Sequence, residues 1–354
     1  MDSLLLTVLI PAVTAFVVGI FFTPVVTHFL YKYKVWKKEG GKVSLYGKAA
    51  EEFNRLKGKE ETRTPRMGGV VIWGSVVITL LVFTILAALF PDSLAAQFNF
   101  LSREQTYIPV AALLVGALIG FLNDFYDVTH GGKGIRLVYR LALITLLSGA
   151  LGWWFYSKVG VQTISIPFDG VLYLGLFIIP FFVLLTLLLY ASGVIDGIDG
   201  LSGGVFASIF GAYTAIAVVQ MQYDLAVFCA TLVGGTLAFL WFNVPPARFW
   251  MTETGTMALT LALATVVFMT DSLVEGGHGI SMLPIVGFPL IATVVSNVLQ
   301  IGYRKLSGGK KLFRIAPLHH HFEAVGWPPY KVTMRYWIIS ICCAVIGVIL
   351  ATLA

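Results

Sequence analysis

Acidic, histidine and glycine residues gather in four short stretches of this chain, each at the end of an apolar run. The first is Gly120-Phe-Leu-Asn123-Asp124-Phe-Tyr-Asp127. The second is Asp196-Gly-Ile-Asp199-Gly-Leu-Ser-Gly-Gly204. The third runs from Phe242-Asn243 through Pro245-Pro246-Ala247 to Met251-Thr252-Glu253-Thr254-Gly255-Thr256. The fourth, Lys310 to Trp327 (KKLFRIAPLHHHFEAVGW), is expected as a basic, aromatic loop around three histidines. Carboxylates at a membrane boundary are costly to desolvate and need a reason to be there. Capping of helix ends is one such reason, and it serves Asp127 and Asp199 as well as a chemical role does. Asp124, Asp196 and Glu253 come from three separate stretches beside Gly-rich turns, which capping explains less well. One or two carboxylates together with substrate phosphates are the usual surroundings of Mg²⁺. Gly-rich turns at helix N-termini offer N–H groups to phosphate, and Lys and Arg add charge-assisted contacts. Consecutive imidazoles point in different directions, and no Cys lies in a loop to complete a tetrahedral set. Contact with a phosphate or a nucleobase is therefore a better reading of the histidines than zinc.

These stretches must be positioned by the apolar runs between them. The chain has 354 residues, 58% of them hydrophobic and 12% charged, against about 25% charged in soluble domains. Runs long enough to cross a bilayer recur throughout. Ten spans are expected, at about 3–25, 67–90, 107–123, 137–156, 171–191, 203–221, 225–243, 255–273, 280–303 and 333–353. The fold class is an all-α polytopic membrane protein forming a single domain over 1–354. The ninth span is expected to be broken, because it carries Pro284, Gly287 and Pro289. Val161 to Phe168, followed by Asp169-Gly170, predicts a small extracytoplasmic β-hairpin.

The loops after odd-numbered spans hold 22 of the chain's 24 Lys and Arg residues. The positive-inside rule places these loops in the cytoplasm and both termini outside. The same rule accounts for the net charge of +6 without nucleic acid. All four polar stretches fall on the cytoplasmic side. A transporter would instead place its acids near the bilayer midplane. Cys229, Cys342 and Cys343 lie inside apolar runs and are expected to pack there. His28, His130 and His278 stand alone and read as polar boundary residues. Together these features predict a membrane enzyme with a cytoplasmic Mg²⁺-diphosphate site and a lipidic substrate.

Ala316-Pro317-Leu318-His319-His320-His321-Phe322-Glu323, with Gly326-Trp327 and Arg335-Tyr336-Trp337, closely resembles the signature of the phospho-N-acetylmuramoyl-pentapeptide transferases. These are members of the polyprenyl-phosphate N-acetylhexosamine-1-phosphate transferase superfamily. The resemblance covers nearly the whole chain. It implies transfer of phospho-N-acetylmuramoyl-pentapeptide from its UDP-linked donor to undecaprenyl phosphate, giving lipid I and UMP with Mg²⁺. It also implies a bacterial plasma-membrane location and a homodimer.

On the same resemblance, Asp124 is the second acid of a paired-Asp motif whose first position is Asn123 here. Asp196 and Asp199 match a DG-x-DG motif tied to nucleotide binding and catalysis. Gly193 stands where an Asn precedes that motif. Glu253 falls at a Mg²⁺-binding Asp, within a Met-Gly-Asp-x-Gly-Ser string that reads Met251-Thr252-Glu253-Thr254-Gly255-Thr256. His320 and His321, next to His319, match the histidine motif beside the uridine-diphosphate site. Lys133 matches a basic residue before a Gly-hydrophobic pair. Trp250 aligns with a uracil-stacking aromatic, and Phe249 lies beside it. Asn243 joins the expected substrate-binding set, and Arg66 stands where the family usually has Thr. Three alternatives stay open at this stage: a transferase for another UDP-N-acetylhexosamine such as UDP-N-acetylglucosamine, a transporter, and an inactive scaffold.

Overall fold

A computed structural model of the chain describes residues 2–38, 41, 54, 60–132, 134–168, 170–272 and 277–354. In chain order the elements are α1 (Asp2–Lys32), α2 (Val70–Leu89), α3 (Tyr107–Thr129) and α4 (Leu137–Trp154). The strands β1 (Thr163–Ile166) and β2 (Gly170–Tyr173) come next. After them lie α5 (Ile178–Ser192), α6 (Leu201–Val219), α7 (Tyr223–Asn243) and α8 (Thr252–Ser272). The chain closes with α9 (Gly279–Val286), α10 (Phe288–Leu306), α11 (Leu318–Ala324) and α12 (Pro329–Leu353).

Among the described residues, nine helices are long and apolar enough to cross a membrane, or ten with the bent pair α9–α10 counted as one broken span. The pair is bent by 68° at Gly287, where Pro284 and Pro289 withhold backbone donors. The expected ten spans and broken ninth helix are therefore present. The antiparallel hairpin pairs Thr163 with Tyr173 and Ile166 with Gly170, so Gly170 already belongs to its second strand. Asp169, in the expected turn, lies outside the described residues. So does most of the first long loop. Its described part holds a single helical turn at Glu60–Thr62 and a buried Lys37–Glu61 ion pair at 3.4 Å.

Several helices outrun their apolar stretches, and two of them do so at the polar stretches. α3 continues to Thr129 instead of stopping near 123, and α8 begins at Thr252 instead of 255. Hydropathy ends where polar side chains begin, but the i→i−4 backbone bonds continue past that point. Asp124, Asp127 and Glu253 consequently ride on helix ends, whose geometry fixes where they point.

α8 lies at the centre. Leu259, Leu263, Val266, Val267 and Phe268 are fully buried in it. Its threonines turn inward and return their hydroxyls to the helix backbone: Thr260 donates to Thr256 O at 2.8 Å and Thr270 to Val266 O at 2.7 Å. α3 crosses α8 backbone to backbone at Gly116 and Gly120. A Cβ on Gly120 would collide with the carbonyl of Glu253, the small-residue contact typical of membrane helix pairs. α1 and α12 lie at the rim, with Leu9, Val13, Ile341 and Val345 exposed for lipid.

Candidate active site

The polar stretches that the sequence leaves far apart meet at one end of the bundle, around the first turn of α8. Thr252 opens that turn. Its φ is +55°, a left-handed conformation unusual for a β-branched residue. Three bonds hold it there. Its N–H donates to Asp196 Oδ2 at 2.8 Å, its hydroxyl donates to Asp124 Oδ2 at 2.6 Å, and the same hydroxyl accepts from Met67 N–H at 3.0 Å. Asp124 Oδ2 accepts two more bonds from Thr254, from its N–H and its hydroxyl, both at 2.7 Å. The other Asp124 oxygen lies 3.4 Å from Arg66 Nη2. Asp124 is completely buried and its accepting capacity is largely used.

Asp196, at the end of the turn after α5, keeps more capacity. Oδ1 accepts from the Ser202 hydroxyl at 2.7 Å, and Oδ2 from Thr252 N–H. Burial pushes its pKa above the ordinary carboxylate value, and the bonds from Ser202 and Thr252 oppose that push. Glu253 pairs with Arg140 of α4. Its Oε2 is buried with no hydrogen-bond partner among the described residues.

Asp199 ties the DG-x-DG turn to the stretch before α8. It accepts from Ala247 N–H at 2.9 Å and from the Trp250 indole N–H at 3.1 Å. Asn243 braces the same turn, accepting from Gly200 N–H at 2.9 Å and donating to Phe249 O at 2.7 Å. From α12, the Thr333 hydroxyl donates to Asp199 O and the Trp337 indole to Gly200 O, both at 3.0 Å. Phe249 has no exposed surface and packs among Phe239, Phe242 and Gly68. Of the two neighbouring aromatics, Trp250 is the one whose polar edge reaches a site acid. Asn123, in α3, accepts from Ile135 N–H at 2.9 Å and so ties the following segment back to the helix. Gly193 lies where a Cβ would come within 3.3 Å of Thr256.

The histidines lie on a helix, not in the expected loop: α11 starts after Pro317 and carries all three. Successive helical residues turn by about 100°, so the rings diverge. His319 and His320 lean on Gly197, between Asp196 and Asp199. A Cβ there would fall 2.5 Å from His320 Nε2 and 2.7 Å from His319 Nε2. His320 Nδ1 lies 2.6 Å from Glu323 Oε2, one turn on. That bond fixes which edge of the ring faces the acids. His321 turns away, accepting from Arg314 N–H at 3.2 Å beside Phe313. Lys133 lies outside the described residues.

Several residues of this site carry no role in the sequence reading: Arg140, Thr252, Thr254, Ser202, Gly197 and Glu323. The Pro before and the i,i+3 His–Glu spacing within α11 were the available signals for the helix and for Glu323. The bonds of Thr254 and Arg140 to residues over a hundred positions away left no local trace.

The glycosyl transferase family 4 model matches residues 106–271, the part from α3 to α8 that supplies Asp124, Asp196, Asp199 and Glu253. Similarity to individual proteins goes further. A phospho-N-acetylmuramoyl-pentapeptide-transferase of Geobacillus sp. (strain WCH70) is 32% identical over 344 residues, 95% of each chain. Proteins of the same name from Francisella tularensis and Thermodesulfovibrio yellowstonii are 33% and 31% identical over 309 and 308 residues. Those matches cover 80% and 81% of this chain and 79% of each relative. Similarity of that level, end to end and including the histidine helix that the shorter family model leaves out, means that the chain belongs to the phospho-N-acetylmuramoyl-pentapeptide-transferase family.

Proposed function

We propose that this protein transfers phospho-N-acetylmuramoyl-pentapeptide from its UDP-linked donor to undecaprenyl phosphate, yielding lipid I and UMP at the cytoplasmic face of a bacterial plasma membrane. The observation that carries this is the convergence on the first turn of α8. Asp124 and Asp196 each bond to Thr252 there, Glu253 follows in the same turn, and the histidine helix leans on Gly197, between Asp196 and Asp199. The site lies at the ends of membrane helices, where a lipid phosphate and a soluble nucleotide can both arrive. The basic loops on the same side support the cytoplasmic assignment.

In the proposed reaction an oxygen of the lipid phosphate attacks the sugar-bearing phosphorus in line. The bond to the UMP oxygen breaks, and UMP leaves. The nucleophile is largely ionised near neutral pH and needs little help. Where a proton remains, Asp196 is placed to take it, because each of its oxygens holds only one hydrogen bond. Asp124, engaged by Thr252, Thr254 and Arg66, positions the α8 turn. His320, oriented by Glu323, faces the DG-x-DG turn as a phosphate or uridine contact, with His319 beside it. Asp199 and Asn243 hold that turn, and Trp250 presents its ring there.

Mg²⁺ fits one feature of this site. Glu253 Oε2 is a buried carboxylate oxygen with no hydrogen bond among the described residues. No group of three potential metal ligands occurs among those residues, so Glu253 would hold the cation together with substrate phosphate oxygens. When bound, the cation supplies charge neutralisation on the diphosphate. Arg140 pairs with the other oxygen of that carboxylate, Oε1.

The test is UMP release in detergent with polyprenyl phosphate and Mg²⁺, using UDP-N-acetylmuramoyl-pentapeptide and UDP-N-acetylglucosamine in parallel. Release from the first donor only is expected, reduced roughly a hundredfold or more in Glu253→Ala. The metal requirement of the parent should be saturable. Release from the second donor only, or none from folded protein, would sink the assignment.

A further inference from the structure

We propose that Arg66 is a phosphate-binding residue of this site, one that exchanges its carboxylate partners for a substrate phosphate. The inference rests on the transferase reading above. It concerns a position where the resemblance leads one to expect Thr and this chain carries Arg.

The backbone around Arg66 is firmly placed. Arg66 N–H donates to Val35 O at 2.7 Å. On either side, Trp250 N–H donates to Pro65 O and Gly68 N–H to Trp250 O, both at 2.8 Å. The segment is thus pinned beside the stretch that leads into α8. From there the side chain reaches α3, with Nη2 3.4 Å from Asp124 Oδ1 and 3.3 Å from Asp127 Oδ2. Both distances are long for charge-assisted bonds, which run about 2.7–2.9 Å. Neither acid forms a two-point fork with the guanidinium. Arg66 Nε is buried with no hydrogen-bond partner among the described residues, and Asp127 Oδ2 likewise accepts no hydrogen bond.

A planar cation with loose contacts and a spare buried donor suits an anion that can take two donors at once, as phosphate does. Its position agrees. Asp124 is wholly buried beneath it, while the Arg66 side chain keeps 15% of its surface, so a ligand entering the site meets the guanidinium before the acid. Thr would offer one hydroxyl here, whereas Arg adds a fixed positive charge. The diphosphate of the donor and the monophosphate of the lipid share this chemistry.

The experiment measures equilibrium affinity of the full-length protein in detergent, at fixed Mg²⁺, for uridine diphosphate and for a short-chain polyprenyl phosphate. Parent, Arg66→Lys, Arg66→Gln and the double variant Arg66→Gln/Asp127→Asn are compared, with Tm recorded for each. Arg66→Gln should weaken one probe roughly tenfold or more, and Arg66→Lys should regain part of that loss. Weakened uridine diphosphate assigns the contact to the donor, and weakened polyprenyl phosphate assigns it to the acceptor. The double variant relieves the unpaired acid and should recover Tm without recovering affinity. Unchanged affinity for both probes, or full recovery in the double variant, overturns the proposal and leaves Arg66 as an ion-pair partner only. UMP release by the parent, measured separately, decides the transferase reading. A parent that binds uridine diphosphate but releases no UMP would sink that reading while leaving the affinity comparison intact.

Discussion

Thr252 shows how a single residue can be strained and useful together. Holding a β-branched residue in the left-handed region costs about 1–2 kcal/mol. A hydrogen bond to an ionised group is worth about 1.5–3 kcal/mol, and the Thr252 hydroxyl makes one to Asp124. The side chain therefore offsets the backbone it distorts. Ser202 acts on a neighbouring acid in a way that can be measured. Its hydroxyl bonds the charged form of Asp196 and opposes the upward push of burial. Ser202→Ala removes that support, so the Asp196 pKa rises further. If the carboxylate form is the active one, the acid limb of the kcat/KM profile moves to higher pH. An unmoved limb would mean that Asp196 does not titrate in the rate-determining form.

At the scale of elements, the crossing of α3 and α8 sets the distance between Asp124 and the Thr252–Thr254 turn. Gly120→Ala would drive a methyl into the Glu253 carbonyl. Overpacking of this kind costs about 1–3 kcal/mol, and here it also displaces a site acid. Lower Tm and at least a tenfold loss of UMP release are expected. Gly211→Ala in α6, where a Cβ would meet nothing within 4 Å, should leave both unchanged. Parental values in Gly120→Ala would refute the role given to this crossing.

Which elements were legible follows from the same physics. Long apolar runs declared the spans, and two prolines around Gly287 declared the break, because both signals are local. The convergence of Asp124 and Asp196 was legible, since separate stretches delivered them to one side. The division of labour among them was not. That Asp124 is engaged by Thr252 and Thr254, 128 and 130 positions away, while Asp196 keeps free capacity, depends on helix crossings that no local pattern encodes. α3 and α8 extend past the expected spans for a related reason: hydropathy measures the bilayer, not the helix. The histidine stretch read as a loop because its basic and aromatic residues masked a seven-residue helix begun by Pro317.

Across the whole molecule, the candidate site draws on two separate supports. Asp124, Asp196 and Glu253 are anchored to the innermost helix and its neighbours. The histidines hang instead from α10. Leu318 N–H donates to Ser296 Oγ at 3.0 Å, and Gln300 both accepts from Phe313 N–H and donates to Phe313 O, at 2.8 and 3.2 Å. Beyond its 68° bend at Gly287, α10 leaves the bundle with Val295, Val298 and Leu299 exposed to lipid. A membrane helix of fixed length meets a thicker or thinner bilayer by changing its tilt. Tilt of α10 would carry α11 with it and alter how closely His319 and His320 approach Gly197. Turnover reconstituted in lipids of graded acyl length should therefore pass through an optimum, and a flat response would show α11 to be held independently. An optimum would make the hydrocarbon thickness of the surrounding membrane a working dimension of the site, with the bent helix as a lever whose long arm lies in the lipid.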